Sequence, residues 1–133
     1  MVNKTKIATN AAPPAVGTYS QAIRSGDLVF VTGQTGRNPS TGDLEDGLEA
    51  QARRMLSNID AVLNAAGCSA EDVVKVALYL HDIKDFKAVD VVYADWLPGL
   101  GITAWPARTA IGGVDLPAGA LVMLDVVAAV PSD

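Results

Sequence analysis

Arg108 stands in the segment Trp105-Pro106-Ala107-Arg108-Thr109-Ala110, and after Lys87 it is the only Lys or Arg in the chain. An unpaired guanidinium is costly to bury, so this arginine reaches solvent or meets a fixed negative group. Its planar fork of donors suits a carboxylate, which it grips through two parallel hydrogen bonds. That carboxylate is either a side chain of the same chain, such as Asp125, or the acid group of a ligand. The residue types alone leave both readings open.

Other candidates for chemistry are few. His81 is the sole histidine, so no His pair exists to bind a metal, and no cysteine cluster accompanies it. His81-Asp82 closes a strand-like run and reads as an exposed turn. Cys68 is the only cysteine; it follows Ala65-Ala66-Gly67 at a helix end and reads as a packing residue. The aspartates lack metal-loop spacing and fall mostly at caps and turns, as their local hydrogen bonding favours. Thr32-Gly33-Gln34-Thr35-Gly36 follows a strand, but no helix starts there to cradle a phosphate. Walker, dinucleotide and nucleophile-elbow motifs are missing. Tyr19, at a strand start, offers a hydroxyl that donates to a ligand or merely packs.

The elements that position these residues follow from spacing. Residues 1–17 read as extended, with Pro13-Pro14 preventing a regular helix. A strand from Thr18 to Arg24, a Ser25-Gly26-Asp27 turn and a strand from Leu28 to Thr32 form a hairpin. Gly33 to Gly36 ends that second strand, and Asn38-Pro39-Ser40-Thr41-Gly42 is a loop. Leu48, Ala52, Met55, Leu56, Ile59, Val62, Leu63 and Ala66 recur at helical spacing. Asp46 with Glu49 caps that helix, and Gly67 closes it. Val73 to Leu80 is a strand with Val74, Val76, Leu78 and Leu80 on one face. A second helix runs from Asp85 to Leu97, with Phe86, Val89, Tyr93 and Leu97 inward, and Pro98-Gly99 stops it. Strands then cover Arg108 to Val114 and Ala120 to Val130.

That final strand carries Val122, Leu124, Val126, Ala128 and Val130 on one face. Its other face holds Leu121, Met123, Asp125, Val127 and Ala129, apolar but for one carboxylate. Such a strand lies mid-sheet, or in a sheet whose second face meets another subunit. The order β-β-α-β-α-β-β places both helices on one face of an α+β sheet.

Composition bounds the whole. A chain of 133 residues is one domain, residues 1–133, able to bury its own core. Half of its residues are hydrophobic and its mean hydropathy is +0.25, a surplus that points to self-association. A formal charge of −5 argues against a nucleic-acid surface. Lys4, Lys6 and the Arg53-Arg54 pair read as solvated charge. The longest apolar stretch, Ala118 to Pro131, is broken by Asp125 and too short to cross a bilayer as a helix. A lone cysteine and a start without a signal-peptide pattern suit a cytoplasmic setting.

Several segments together carry a resemblance: Ala11-Ala12-Pro13-Pro14-Ala15-Val16-Gly17-Thr18-Tyr19-Ser20-Gln21-Ala22, Val31-Thr32-Gly33-Gln34, Asn38-Pro39-Ser40-Thr41-Gly42, Gln51-Ala52 with Asn58, Ala65-Ala66-Gly67, and Pro106-Ala107-Arg108-Thr109. In order and spacing, end to end, they resemble the Rid family (RidA/YjgF, also labelled L-PSP endoribonucleases). The resemblance implies a chorismate-mutase-like subunit of a homotrimeric barrel, with clefts between neighbouring subunits. It implies hydrolysis of enamine/imine acids such as 2-aminoacrylate to 2-keto acids and ammonium, without a cofactor. By position, Arg108 falls on the arginine that binds the substrate carboxylate, and Tyr19 on the tyrosine lining the cleft from the adjacent subunit. Gly33 and Ala110 fall where backbone amides hold the ligand. Three positions depart from the family pattern. Ala110 stands at the usual cysteine, Asp90 where many members carry asparagine, and Met123 at the glutamate that deaminase members use on the water. Alternatives are a non-catalytic binder of small carboxylates, a relative acting on a different imino substrate, and a ribonuclease, which the acidic charge disfavours.

Overall fold

The structure, a computed structural model, describes residues 2–97 and 104–132. Six strands form one sheet: β1 (Thr5–Ile7), β2 (Ala22–Ser25), β3 (Leu28–Thr35), β4 (Val73–Leu80), β5 (Ala107–Ile111) and β6 (Val122–Ala129). Two helices join them, α1 (Leu48–Ala65) between β3 and β4, and α2 (Phe86–Trp96) between β4 and β5. The spatial order is β1-β2-β3-β6-β4-β5. Only β4 and β5 run parallel, the pair joined by the crossover that contains α2.

The expected α+β architecture, with its two helices, is present. The N-terminal segment is richer than expected: Thr5–Ile7 adds an edge strand, pairing antiparallel with β2. The strand expected from Thr18 begins only at Ala22. Residues ahead of it are held instead by the buried Gln21 amide. Gln21 accepts from the Thr9 N–H at 2.7 Å and donates to the carbonyls of Thr9 at 3.0 Å and Pro13 at 2.8 Å. In place of a strand ladder, this one side chain pairs with backbone groups at both ends of the Thr9–Pro13 arm.

Helix α1 lies across β3 and β6 and buries Ala52, Met55, Leu56, Ile59, Val62 and Leu63, the expected stripe. Its N-terminus differs from expectation. The residue before it is Gly47 and no side chain caps it, because the helix starts one position too late for Asp46 to be its cap. The expected Glu49–Arg53 pair forms at 2.9 Å on the outer face. Beyond the helix, Gly67 adopts a φ of 78°, the left-handed turn that ends helices. Helix α2 buries Val89, Val92 and Tyr93. The Pro98-Gly99 stop lies outside the described residues.

The core face of the sheet is made by Val29 and Val31, by Val76, Leu78 and Leu80, and by Val122, Leu124, Val126 and Ala128, all buried. Val74, expected inward, is 46% exposed. A register shift between Val73 and Lys75 puts Val73 inside instead, and the alternation resumes at Val76. Strand β5 ends at Ile111, short of the expected Val114. Among the described residues no helix covers the opposite face of the sheet: Leu28 and Phe30 are exposed there, beside Val127, Asp125 and Met123 of β6.

Candidate functional site

Arg108 lies on β5, in register with Val76 of the parallel neighbour β4. It therefore shares the helix-facing side of the sheet, but at an edge strand, where its long side chain runs out beneath α2. The guanidinium carbon stands 5.0 Å from the ring centroids of both Phe86 and Tyr93. Nη1 donates to Asp90 Oδ1 at 2.7 Å. Phe86, Asp90 and Tyr93 are spaced i, i+4, i+7, so one stripe of α2 supplies two rings and a carboxylate. That periodicity was available in the sequence; the pairing of the stripe with β5 was not.

The intrachain partner of Arg108 is thus Asp90, and the Asp125 pairing considered above is overturned. Asp125 lies on β6 facing the other side of the sheet, where its carboxylate accepts the Tyr79 hydroxyl at 3.0 Å. Asp125 and Arg108 thus lie on opposite faces of the sheet. The hydrogen bond to Asp125, reinforced by burial and by the carboxylate charge, raises the Tyr79 phenol above its ordinary value. Burial likewise raises Tyr93, with Arg108 opposing the rise and Asp90 adding to it. Both phenols therefore hold their protons at neutral pH.

Arg108 and Asp90 keep 26% and 44% of their side chains exposed, so solvent screens the pair and it contributes about 1 kcal/mol or less. Nε and Nη2 of Arg108, and Asp90 Oδ2, make no hydrogen bond to the protein among the described residues. Both residues line a hollow of about 430 Å³, together with Tyr93, Ala94, Trp105 and Pro106. Trp105, 58% exposed, forms an apolar wall.

Ala110 shares β5 and sits in register with Leu78, its side chain packed against the core. The remaining candidates gather elsewhere. Tyr19, Gly33 and Met123 line a separate hollow of about 190 Å³, with Thr32, Thr35 and Arg37. A Cβ built on Gly33 would stand 2.9 Å from Met123 Sδ, so the thioether lies directly against the Gly33 backbone. Arg37 escaped notice in the sequence because it follows a glycine in an irregular stretch with no periodicity to orient it. In one chain, then, Arg108, Ala110 and Asp90 form one group, and Tyr19, Gly33 and Met123 form another. The groups lie on different sides of the sheet, and β4 separates β5 from β6.

The other residues singled out are structural. Cys68 is buried, and burial, with the nearby Asp72 charge, raises its thiol. His81 is exposed with Nδ1 3.2 Å from the Val114 carbonyl. The Asn58 amide donates to the carbonyls of Thr35 at 3.0 Å and Arg37 at 2.8 Å. The Gln51 side chain accepts from the Leu121 N–H at 2.9 Å. Among the described residues no group of three or more His, Cys, Asp or Glu is placed to hold a metal.

A small α+β domain with a ring-clamped arginine at its sheet edge defines the class. The family model described as endoribonuclease L-PSP matches residues 9–130. A Capra hircus protein named 2-iminobutanoate/2-iminopropanoate deaminase is 38% identical over 123 residues, 92% of this chain and 87% of that protein. A Yersinia pestis protein of the conserved Rid family, YyfA, superposes with a TM-score of 0.90 at 42% identity, covering 96% of this chain and 100% of that one. Escherichia coli TdcF, solved with bound serine, gives a TM-score of 0.88 at 31% identity over 94% of this chain and 98% of its own. The chain belongs to the Rid family, the endoribonuclease L-PSP family, and imine deamination is an activity found within it.

Proposed function

We propose that this protein hydrolyses small 2-imino acids, such as the imine form of 2-aminoacrylate, to 2-keto acids and ammonium. The observation that carries the reading is Arg108: a guanidinium set against two rings in the lining of a hollow, with donors that no described residue uses. Those donors hold the substrate carboxylate and orient the imine carbon toward water. Water adds to the carbon of the protonated imine, a proton passes from the added oxygen to nitrogen, and the C–N bond breaks as the remaining hydroxyl proton goes to the departing ammonia, leaving the keto acid and ammonium. An imine is already electrophilic, so modest proton-transfer assistance suffices. The relative named as an imine deaminase supports the reaction class, and the neighbour solved with serine supports a small ligand bearing a carboxylate.

The active unit in this reading is a homotrimer, with each cleft built from the Arg108 group of one copy and the Tyr19–Gly33–Met123 group of the next. Two features support it. One chain keeps the two groups apart, and its uncovered sheet face carries Phe30, 45% exposed, and Leu28, 40% exposed. Small acids are the ligands; nucleic acid and membrane play no part, and the setting is cytoplasmic.

Ammonium release from freshly generated 2-aminoacrylate tests the reaction. Release above the buffer rate that falls with Arg108→Ala supports it; release indifferent to Arg108 refutes the site. A second reading, a non-catalytic binder of small carboxylates, is favoured by Met123. A thioether neither holds a water as a carboxylate does nor exchanges a proton. Arg108-dependent binding without any ammonium release would select that reading.

A further inference from the structure

The Arg108 hollow presents two opposite charges side by side, and among the described residues both have unused hydrogen-bonding capacity. Within those residues Arg108 gives one donor to Asp90 and keeps its Nε–Nη2 edge; Asp90 accepts through Oδ1 and keeps Oδ2. A simple carboxylate entering this hollow is attracted by the guanidinium and repelled by the carboxylate beside it. A ligand whose cationic nitrogen stands one carbon from its carboxylate satisfies both groups. We propose that Asp90 is a specificity-determining residue: it makes the hollow select zwitterionic 2-amino and 2-iminio acids over the corresponding 2-keto acids.

This inference rests on the reading of Arg108 given under Proposed function. It adds a direction to the reaction. The protonated imine carries the positive nitrogen that Asp90 attracts, whereas the keto acid product is a plain anion. Replacing the nitrogen by a carbonyl oxygen sets an acceptor against an acceptor, so the product is expelled by the same charge that helps retain the substrate. Trp105 and Pro106, which wall the hollow on its apolar side, suit a short aliphatic side chain on that ligand. Tyr93, whose phenol stays protonated, adds no competing negative charge.

The experiment compares two ligands with one carbon skeleton, L-2-aminobutanoate and 2-oxobutanoate, by calorimetric titration at low salt. The wild type is expected to prefer the amino acid by about three- to tenfold, the range of a partly screened ion pair. Asp90→Asn, nearly isosteric and at an exposed position, should bring the ratio close to one, weakening the amino acid and strengthening the keto acid. Asp90→Glu, which keeps the charge, should keep the preference. Equal wild-type affinities, or a preference that survives Asp90→Asn, overturn the inference. If binding still requires Arg108 in that case, the carboxylate reading stands and only the role of Asp90 falls. If the wild type binds neither ligand, both fall together.

Discussion

Two aromatic rings and one carboxylate hold the Arg108 guanidinium in place, and each contributes little by itself. An exposed ion pair and exposed cation–π contacts are each worth about 1 kcal/mol or less. Arg108→Ala should therefore lower stability by only about 1–2 kcal/mol in urea titration while abolishing small-carboxylate binding. Arg108→Lys keeps the charge but loses the planar fork and the ring stacking, so binding should remain clearly impaired. Under the proposed reaction, Met123 is the position expected to set how well the site turns over. Loss of a general acid–base group typically costs about 10²–10⁴-fold in rate, so weak 2-aminoacrylate deaminase activity is expected of the wild type. Met123→Glu should raise it, since the side chain lies against the Gly33 backbone at the second hollow. A variant that folds and binds ligand yet shows no gain would point to a different substrate or a binder.

At the scale of elements, two side-chain ties govern how the walls of the site are held. Gln21 is 4% exposed and fastens the Thr9–Pro13 arm, next to which Tyr19 lines the second hollow. Gln21→Ala leaves partly buried backbone groups without that partner, a loss of about 1–3 kcal/mol. Ligand binding should weaken as Tyr19 loses its support, and thermal unfolding together with titration of the same variant reads both effects. The second tie joins the helices: Trp96 Nε1 donates to Asp60 Oδ1 at 2.8 Å. Burial raises the Asp60 carboxyl above its ordinary value, outweighing the opposing effect of that hydrogen bond. A raised folded-state pKa favours the native state at low pH, and that contribution fades as pH climbs through the folded pKa. Asp60→Asn keeps an acceptor for Trp96 and removes the charge. Its melting temperature should exceed that of the wild type at pH 7, with the difference shrinking as pH falls toward the ordinary carboxylate range.

For the molecule as a whole, the uncovered face of the sheet is the feature with the largest consequence. Phe30 and Leu28 of β3 and Val127 of β6 lie together there across a paired ladder. Light scattering at micromolar concentration should report a trimer. Phe30→Glu, placing a charge in the middle of that face, should yield smaller species with lower thermal stability, because association stabilises the folded state by mass action. A wild type that stays monomeric would remove the shared cleft along with the trimer. No helix among the described residues is long and apolar enough to cross a membrane.

Local spacing by itself determined the two helices, the strand from Val73 to Leu80 and the apolar core face of β6, because periods of 3.6 and 2 are written in consecutive residues. The motifs around Pro13-Pro14, Gly33 and Arg108 likewise carry the family resemblance in short runs of sequence. What tertiary structure alone decided was non-local. The Thr5–Ile7 strand is too short to announce itself and exists through its pairing with β2. Val74 faces outward because a bulge against β6 interrupts the alternation. Arg108 found Asp90 rather than Asp125 because β5 lies parallel to β4, which aims position 108 at α2, whereas Asp125 faces the opposite side of the sheet. The separation of Tyr19, Gly33 and Met123 from Arg108 has the same origin. Neither sequence distance nor residue type says which side of a sheet a residue occupies until the strands have been paired.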